Sequence, residues 1–186
     1  MARAIDVARY ILEQRDAREH MTTAFALQKL LYYCQAWTLV ATDRSLFDDR
    51  IEAWRHGPVV HAVYPYCRGR RYVFPREIPE GDASALNVQE RLIVDRVLSM
   101  FERQDDTQLG DALESMSHEE RPWSSVASGT NDVISQESML DFYSALQADP
   151  SLSHAAPIPN LADVSDRTFI SGEDADMIAA LLSGQA

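Results

Sequence analysis

Between Thr22 and Val40 the apolar positions keep to no single stripe. Phe25, Leu27, Leu30, Leu31, Tyr32, Tyr33, Cys34, Ala36, Trp37, Leu39 and Val40 cover nearly every face of the helix that this spacing predicts. A helix apolar all round is usually a buried one, so this run is placed at the centre of a helical core. Thr22 or Thr23 is suited to cap it, because a hydroxyl accepts a bond from an otherwise unpaired backbone N–H. Gln28, Lys29 and Gln35 interrupt the run, which makes it too short and too polar to span a membrane. Once buried, those polar groups need partners inside.

The flanking elements carry ordinary one-sided patterns. Ala4, Val7, Ala8 and Ile11 mark one face of a first helix that ends in the charged run 13–19. Asn87 and Glu90 form a variant capping box ahead of Ile93, Val94, Val97, Leu98 and Phe101. Leu109, Ala112, Leu113 and Met116 mark another helix, begun by Asp105 or Asp106, and Pro122 opens a short turn through Trp123. Ser135, stapled by Ile134 and Met139, caps a helix through Leu140, Tyr143 and Leu146. Ile51-Glu52-Ala53-Trp54 alternates as a short strand does. Gly57 supplies backbone angles that other residues avoid, and Pro58 is expected to open a new helix through Val59, Val60, Val63 and Tyr64. Tyr72-Val73-Phe74 is the expected partner of the 51–54 strand.

After Asp149 the prolines Pro150, Pro157 and Pro159 signal a linker. Ser171 then caps a short final helix whose stripe includes Met177, Ile178, Leu181 and Leu182. A helix that short is marginal alone, so the stripe needs a surface, either its own domain or a partner. The expectation is a mainly α protein. A single helical domain over 1–148 surrounds a central buried helix and carries a small two-stranded β-hairpin; 149–186 is an acidic linker with a C-terminal helix.

Composition narrows the function. A net charge of −12 argues against nucleic acid as the main partner, since phosphate binding needs a basic surface. It suits a basic protein partner, or plain solubility. The local patch from Arg68 to Arg76 mixes cationic and aromatic residues, a pairing that suits single strands. A solvated loop is the favoured reading there, with contact to an acidic protein patch second. Cys34 and Cys67 make no disulfide framework. With no signal-peptide pattern and no apolar run of spanning length, a cytoplasmic protein without membrane contact is expected. His20, His56, His61, His118 and His154 show no metal-ligand spacing, and no nucleophile elbow or phosphate loop is present. No cofactor, metal or catalytic residue is therefore expected. An enzyme would require an unrecognised pocket around His56, His118 and Glu52.

Two blocks of residues carry a resemblance. The first comprises Leu27 to Trp37, Leu46-Phe47, Glu52 to Val59 and Tyr64; the second is Ser117 to Trp123, with its His…Pro-Trp pattern. Together they resemble the Panacea domain, the family of SocA-like antitoxins and GepA-like phage-associated proteins. The likeness runs roughly from Ile5 to Leu146. It implies a prophage-associated antitoxin of a type II-like toxin–antitoxin system, which binds and neutralises a protein toxin encoded by a neighbouring gene. An adaptor that delivers the toxin to a ClpXP-type protease is the implied alternative. The candidate partner-binding residues are Lys29, Tyr33, Gln35, Glu52, Trp54, His56, His118, Trp123, Met177 and Leu181. For Lys29, Gln35 and Glu52 an internal polar network is favoured over a partner groove. Trp37, Trp54 and Trp123 are large anchors, more often core than interface.

Overall fold

The computed structural model describes residues 1–126, 132–149, 151, 157–166 and 177. In chain order the elements are α1 (Ala4–Ala17), α2 (Ala24–Thr42), β1 (Ile51–Trp54), β2 (Gly57–Val60) and α3 (Tyr64–Cys67). They are followed by α4 (Val88–Ser99), α5 (Leu109–Glu119), α6 (Arg121–Ser124), β3 (Asp132–Val133) and α7 (Gln136–Ala148). The protein is mainly α-helical, with one small antiparallel sheet among the described residues.

α2 is the axis. Helices α1, α4, α5 and α7 and strand β2 all pack on it, and every residue of α2 except Phe25 is buried. Thr23 caps it through the backbone N–H of Ala26 at 3.1 Å. The interrupting polar residues are satisfied internally. Gln35 accepts from the N–H groups of Leu46 and Phe47 at 3.0 and 3.1 Å and donates to the Phe47 carbonyl at 3.1 Å. Leu46 and Phe47 are themselves fully buried. One side chain thus pins the loop after α2 onto the core.

The sheet departs from expectation. β1 pairs with β2, Trp54 facing Gly57 across the two-residue turn Arg55-His56, and residues 58–60 are strand, not helix. Pro58 is tolerated because β2 lies at the sheet edge, where a missing N–H breaks no ladder bond. Gly57 has φ +89°, the left-handed region the hairpin needs. Tyr72-Val73-Phe74 joins the entry to α2 instead: the Val73 N–H donates to the Thr22 carbonyl at 2.9 Å, and Ala24 to Arg71 at 3.0 Å. A third strand, β3, takes the other edge of β1. The free edge of β2 is closed by α2 side chains. The Val60 N–H donates to Gln28 Oε1 at 2.7 Å, and the Pro58 carbonyl accepts from Lys29 Nζ at 3.1 Å.

The caps at Thr23, Asn87 and Ser135 follow the sequence. Helix α5, expected to begin at Asp105 or Asp106, starts at Leu109 after Gln108 with no side-chain cap, and the Asp106 carboxylate accepts from Arg15 and the Met21 N–H instead. Asn87 and Glu90 form a reciprocal capping box on α4, and Ser135 caps α7. Beyond α7, segment 157–166 lies on the helical body. Leu161 and Val164 are buried, Asp166 N–H donates to the Ala41 carbonyl, and Arg44 and Arg96 pair with Asp166 and Asp163. Of the final-helix stripe, Met177 is exposed; Ile178, Leu181 and Leu182 lie outside the described residues.

Candidate functional site

At the N-terminal end of α2 the surface opens into a cleft of about 410 Å³. Phe25, Gln28 and Lys29 supply its α2 wall. Trp54, His56 and Val59 come from the hairpin, Tyr64 and Cys67 from α3. Arg55, Arg68 and Arg70 stand at its rim.

Lys29 is 1% exposed, yet it lines this cleft. Its one hydrogen bond among the described residues is to the Pro58 carbonyl, and its ammonium sits 5.6 Å from the Phe25 ring centroid. Burial pushes its pKa down to about 8, against the pull of Glu114 and Cys67. Gly57 makes room for it. A Cβ at Gly57 would lie 2.7 Å from Lys29 Cε and 2.9 Å from Ser117 Oγ. The Cys67 thiol is pushed up to about 11 by burial, so it rests protonated and inert near neutral pH.

Trp54 is held from three sides. Its indole N–H donates to Glu52 Oε2 at 2.7 Å, its ring lies 4.6 Å from Tyr64, and its carbonyl accepts from Trp123 Nε1 at 3.1 Å. Glu52 is also paired with Arg50 at 2.8 Å. His118 stacks on Trp123 with centroids 4.0 Å apart. Its Nε2 and His56 Nδ1 lie 4.0 and 3.1 Å from the same oxygen of Glu114. Burial, with Lys29 and His56 nearby, lowers the His118 pKa and outweighs Glu114, so the ring is neutral at pH 7. The pocket that an enzyme would require around His56, His118 and Glu52 is not assembled from those three: Glu114 sits between the histidines, and Glu52 braces Trp54.

Tyr33 and Gln35 are not at this surface. Gln35 is used by the loop after α2. Tyr33 donates to Glu120 Oε1 at 3.2 Å, and Tyr143 donates to Glu120 Oε2 at 2.5 Å. Burial lifts Glu120 to about 7 against these two bonds. Both are among the candidate partner contacts, but each is 1% exposed, which leaves no surface for a partner; for Gln35 this is the internal network that the sequence favours.

Lys29, Trp54 and His56 therefore meet at the cleft, with His118 and Trp123 behind the hairpin. Phe25, Glu114 and Arg55 were missed, whereas Arg68 and Arg70 belong to the basic patch of 68–76, for which a solvated loop is the favoured reading and contact with an acidic protein patch the second. The one local signal was the spacing of Glu114 to His118, which puts the pair on one helix face. Among the described residues no three His, Cys, Asp or Glu side chains group to hold a metal ion, and no helix is long and apolar enough to cross a membrane.

The family model "Antitoxin SocA-like, Panacea domain" matches residues 27–124. The chain belongs to this family. The matched Panacea span runs from α2 through α6 and contains the hairpin, Lys29, Glu114, His118 and Glu120. The chain is 31% identical over 134 residues to Antitoxin SocA of Caulobacter vibrioides (strain NA1000 / CB15N), covering 66% of this chain and 69% of that protein. No solved structure matches.

Proposed function

We propose that this Panacea protein is an antitoxin that neutralises a cognate protein toxin by binding it directly, in a type II-like system whose toxin gene lies alongside. Its place of action is the cytoplasm, and neutralisation needs no chemistry of its own. The likeness to Antitoxin SocA supports the role. The observation that carries direct binding is the cleft at the start of α2. Its aromatic wall is open, and the side chains of Arg55 and Arg68 at its rim have no ion-pair or hydrogen-bond partner among the described residues. An apolar surface ringed by unspent charge is what a specific protein interface presents before its partner arrives.

The test is co-expression of the full chain with the adjacent reading frame. Restored growth together with a stoichiometric complex on size exclusion is the expected result. Failure to protect cells from a frame that is toxic alone, or protection with no complex formed, overturns the reading.

A further inference from the structure

We propose that the cleft between α2, the β1–β2 hairpin and α3 is a docking site for one extended segment of a protein partner, and that this segment carries a carboxylate beside a large apolar side chain. The inference rests on the direct-binding reading above and names the chemistry of the contact.

The first argument is Lys29. A buried ammonium has three protons to place, and a single carbonyl acceptor at 3.1 Å leaves two of them without a hydrogen-bond acceptor among the described residues, Glu114 and the Phe25 ring acting only at longer range. Among the described residues Lys29 makes no ion pair, although it lines an open cleft. A carboxylate entering the cleft would give it a charge-assisted bond, shorter and stronger than the neutral one it has. The second argument is charge. The protein carries −12 overall, yet Arg55, Arg68 and Arg70 are gathered at this one opening. Arg70 approaches Glu77 only to 3.9 Å. A local cationic rim on an acidic protein selects an acidic segment, which the rest of the net-negative surface repels.

The third argument is shape. Phe25 is 46% exposed on a helix otherwise enclosed, and it faces Trp54 and Tyr64 across a volume that takes a large side chain but not a folded element. Strand addition is closed off, because Lys29 and Gln28 already occupy the outward groups of β2. The segment is therefore held by its side chains. The net charge disfavours a nucleic-acid strand in the same place.

The experiment pans a phage-displayed random peptide library against the full-length protein, then measures enriched peptides by fluorescence anisotropy. The expected peptides share an Asp or Glu next to Leu, Met or Phe. Affinity should fall about tenfold or more in R55E/R68E, a loss of about 1.4 kcal/mol or more. Those arginines are exposed, so this variant should keep its melting temperature even where Lys29→Met fails to fold. Changing the peptide's acid to Lys should abolish binding. No enrichment, enriched peptides without an acid, or unchanged affinity in R55E/R68E overturns the assignment. So does enrichment seen only after deletion of 171–186, which would mean that the chain's own acidic C-terminal stretch occupies the cleft.

R55E/R68E in the co-expression assay separates the two proposals. If the wild type protects and the variant protects and binds equally well, the cleft assignment falls and the antitoxin reading stands. If the wild type gives no protection while acidic peptides still bind at the cleft, the antitoxin reading falls and the assignment stands.

Discussion

Glu120 is a buried acid whose removal should be visible as a change in pH dependence. It lies at the junction of α5 and α6, held by the phenols of Tyr33 and Tyr143. Burial raises its pKa from 4.5 to about 7. Between those values the folded protein keeps a proton that the unfolded chain has lost. The folded state then binds more protons, so stability falls as pH rises across the window. The contribution is complete below the unfolded value and gone above the folded one. A shift of this size, at about 1.4 kcal/mol per pH unit, is worth about 3 kcal/mol. For a chain of this length that corresponds to roughly 6–12 °C of melting temperature.

Glu120→Gln removes the titration and keeps the shape. Its absolute stability will change, because an amide cannot accept from both phenols through its nitrogen, but that offset is independent of pH. Thermal and urea unfolding at pH 5, 6, 7 and 8 should show the wild type losing about 2–3 kcal/mol more than the variant from one end to the other. Parallel profiles for the two proteins would refute both the ionisation argument and the buried assignment of Glu120.

Leu31→Ala, at a fully buried position of α2, should lower stability by about 2–5 kcal/mol in urea melts; an unchanged midpoint would remove α2 from the core. Gly57→Val should cost more than Gly69→Ala. Both glycines have positive φ, worth about 1–3 kcal/mol of backbone strain, but a Cβ at Gly57 also strikes Lys29 and Ser117, whereas at Gly69 it meets nothing within 4 Å. Equal losses in the two variants would show that close packing at Gly57 is irrelevant. His118→Gln should still protect cells in the co-expression assay. Loss of protection in a variant that melts normally and still binds the toxin would instead argue for a catalytic role. Asn87→Ala should lower stability by about 1 kcal/mol through loss of the α4 cap, read from the chemical denaturation midpoint.

The sequence by itself determined the helices and their burial. An apolar run with no polar face, Leu27 to Val40, can only be satisfied by enclosure, and α2 is enclosed. The caps at Thr23, Asn87 and Ser135 were readable because capping acts within one turn, between residues that are neighbours in sequence. The Gly57-Pro58 pair was ambiguous for the same reason. Locally it suits the first turn of a helix as well as an edge strand, and the choice fell to β1, which lies only a two-residue turn away and offers a ladder at once.

The tertiary structure alone decided what Lys29, Tyr33 and Gln35 do. All three stand on one helix with similar surroundings in sequence. Gln35 meets the loop that follows its helix, Tyr33 meets a carboxylate across the core, and Lys29 meets a strand-edge carbonyl at an open cleft. The cleft itself is made by residues from α2, the hairpin and α3, and the Glu114–His56 contact joins α5 to the hairpin tip. No local pattern reports such meetings, because periodicity records which face a residue occupies and not which distant group arrives opposite it.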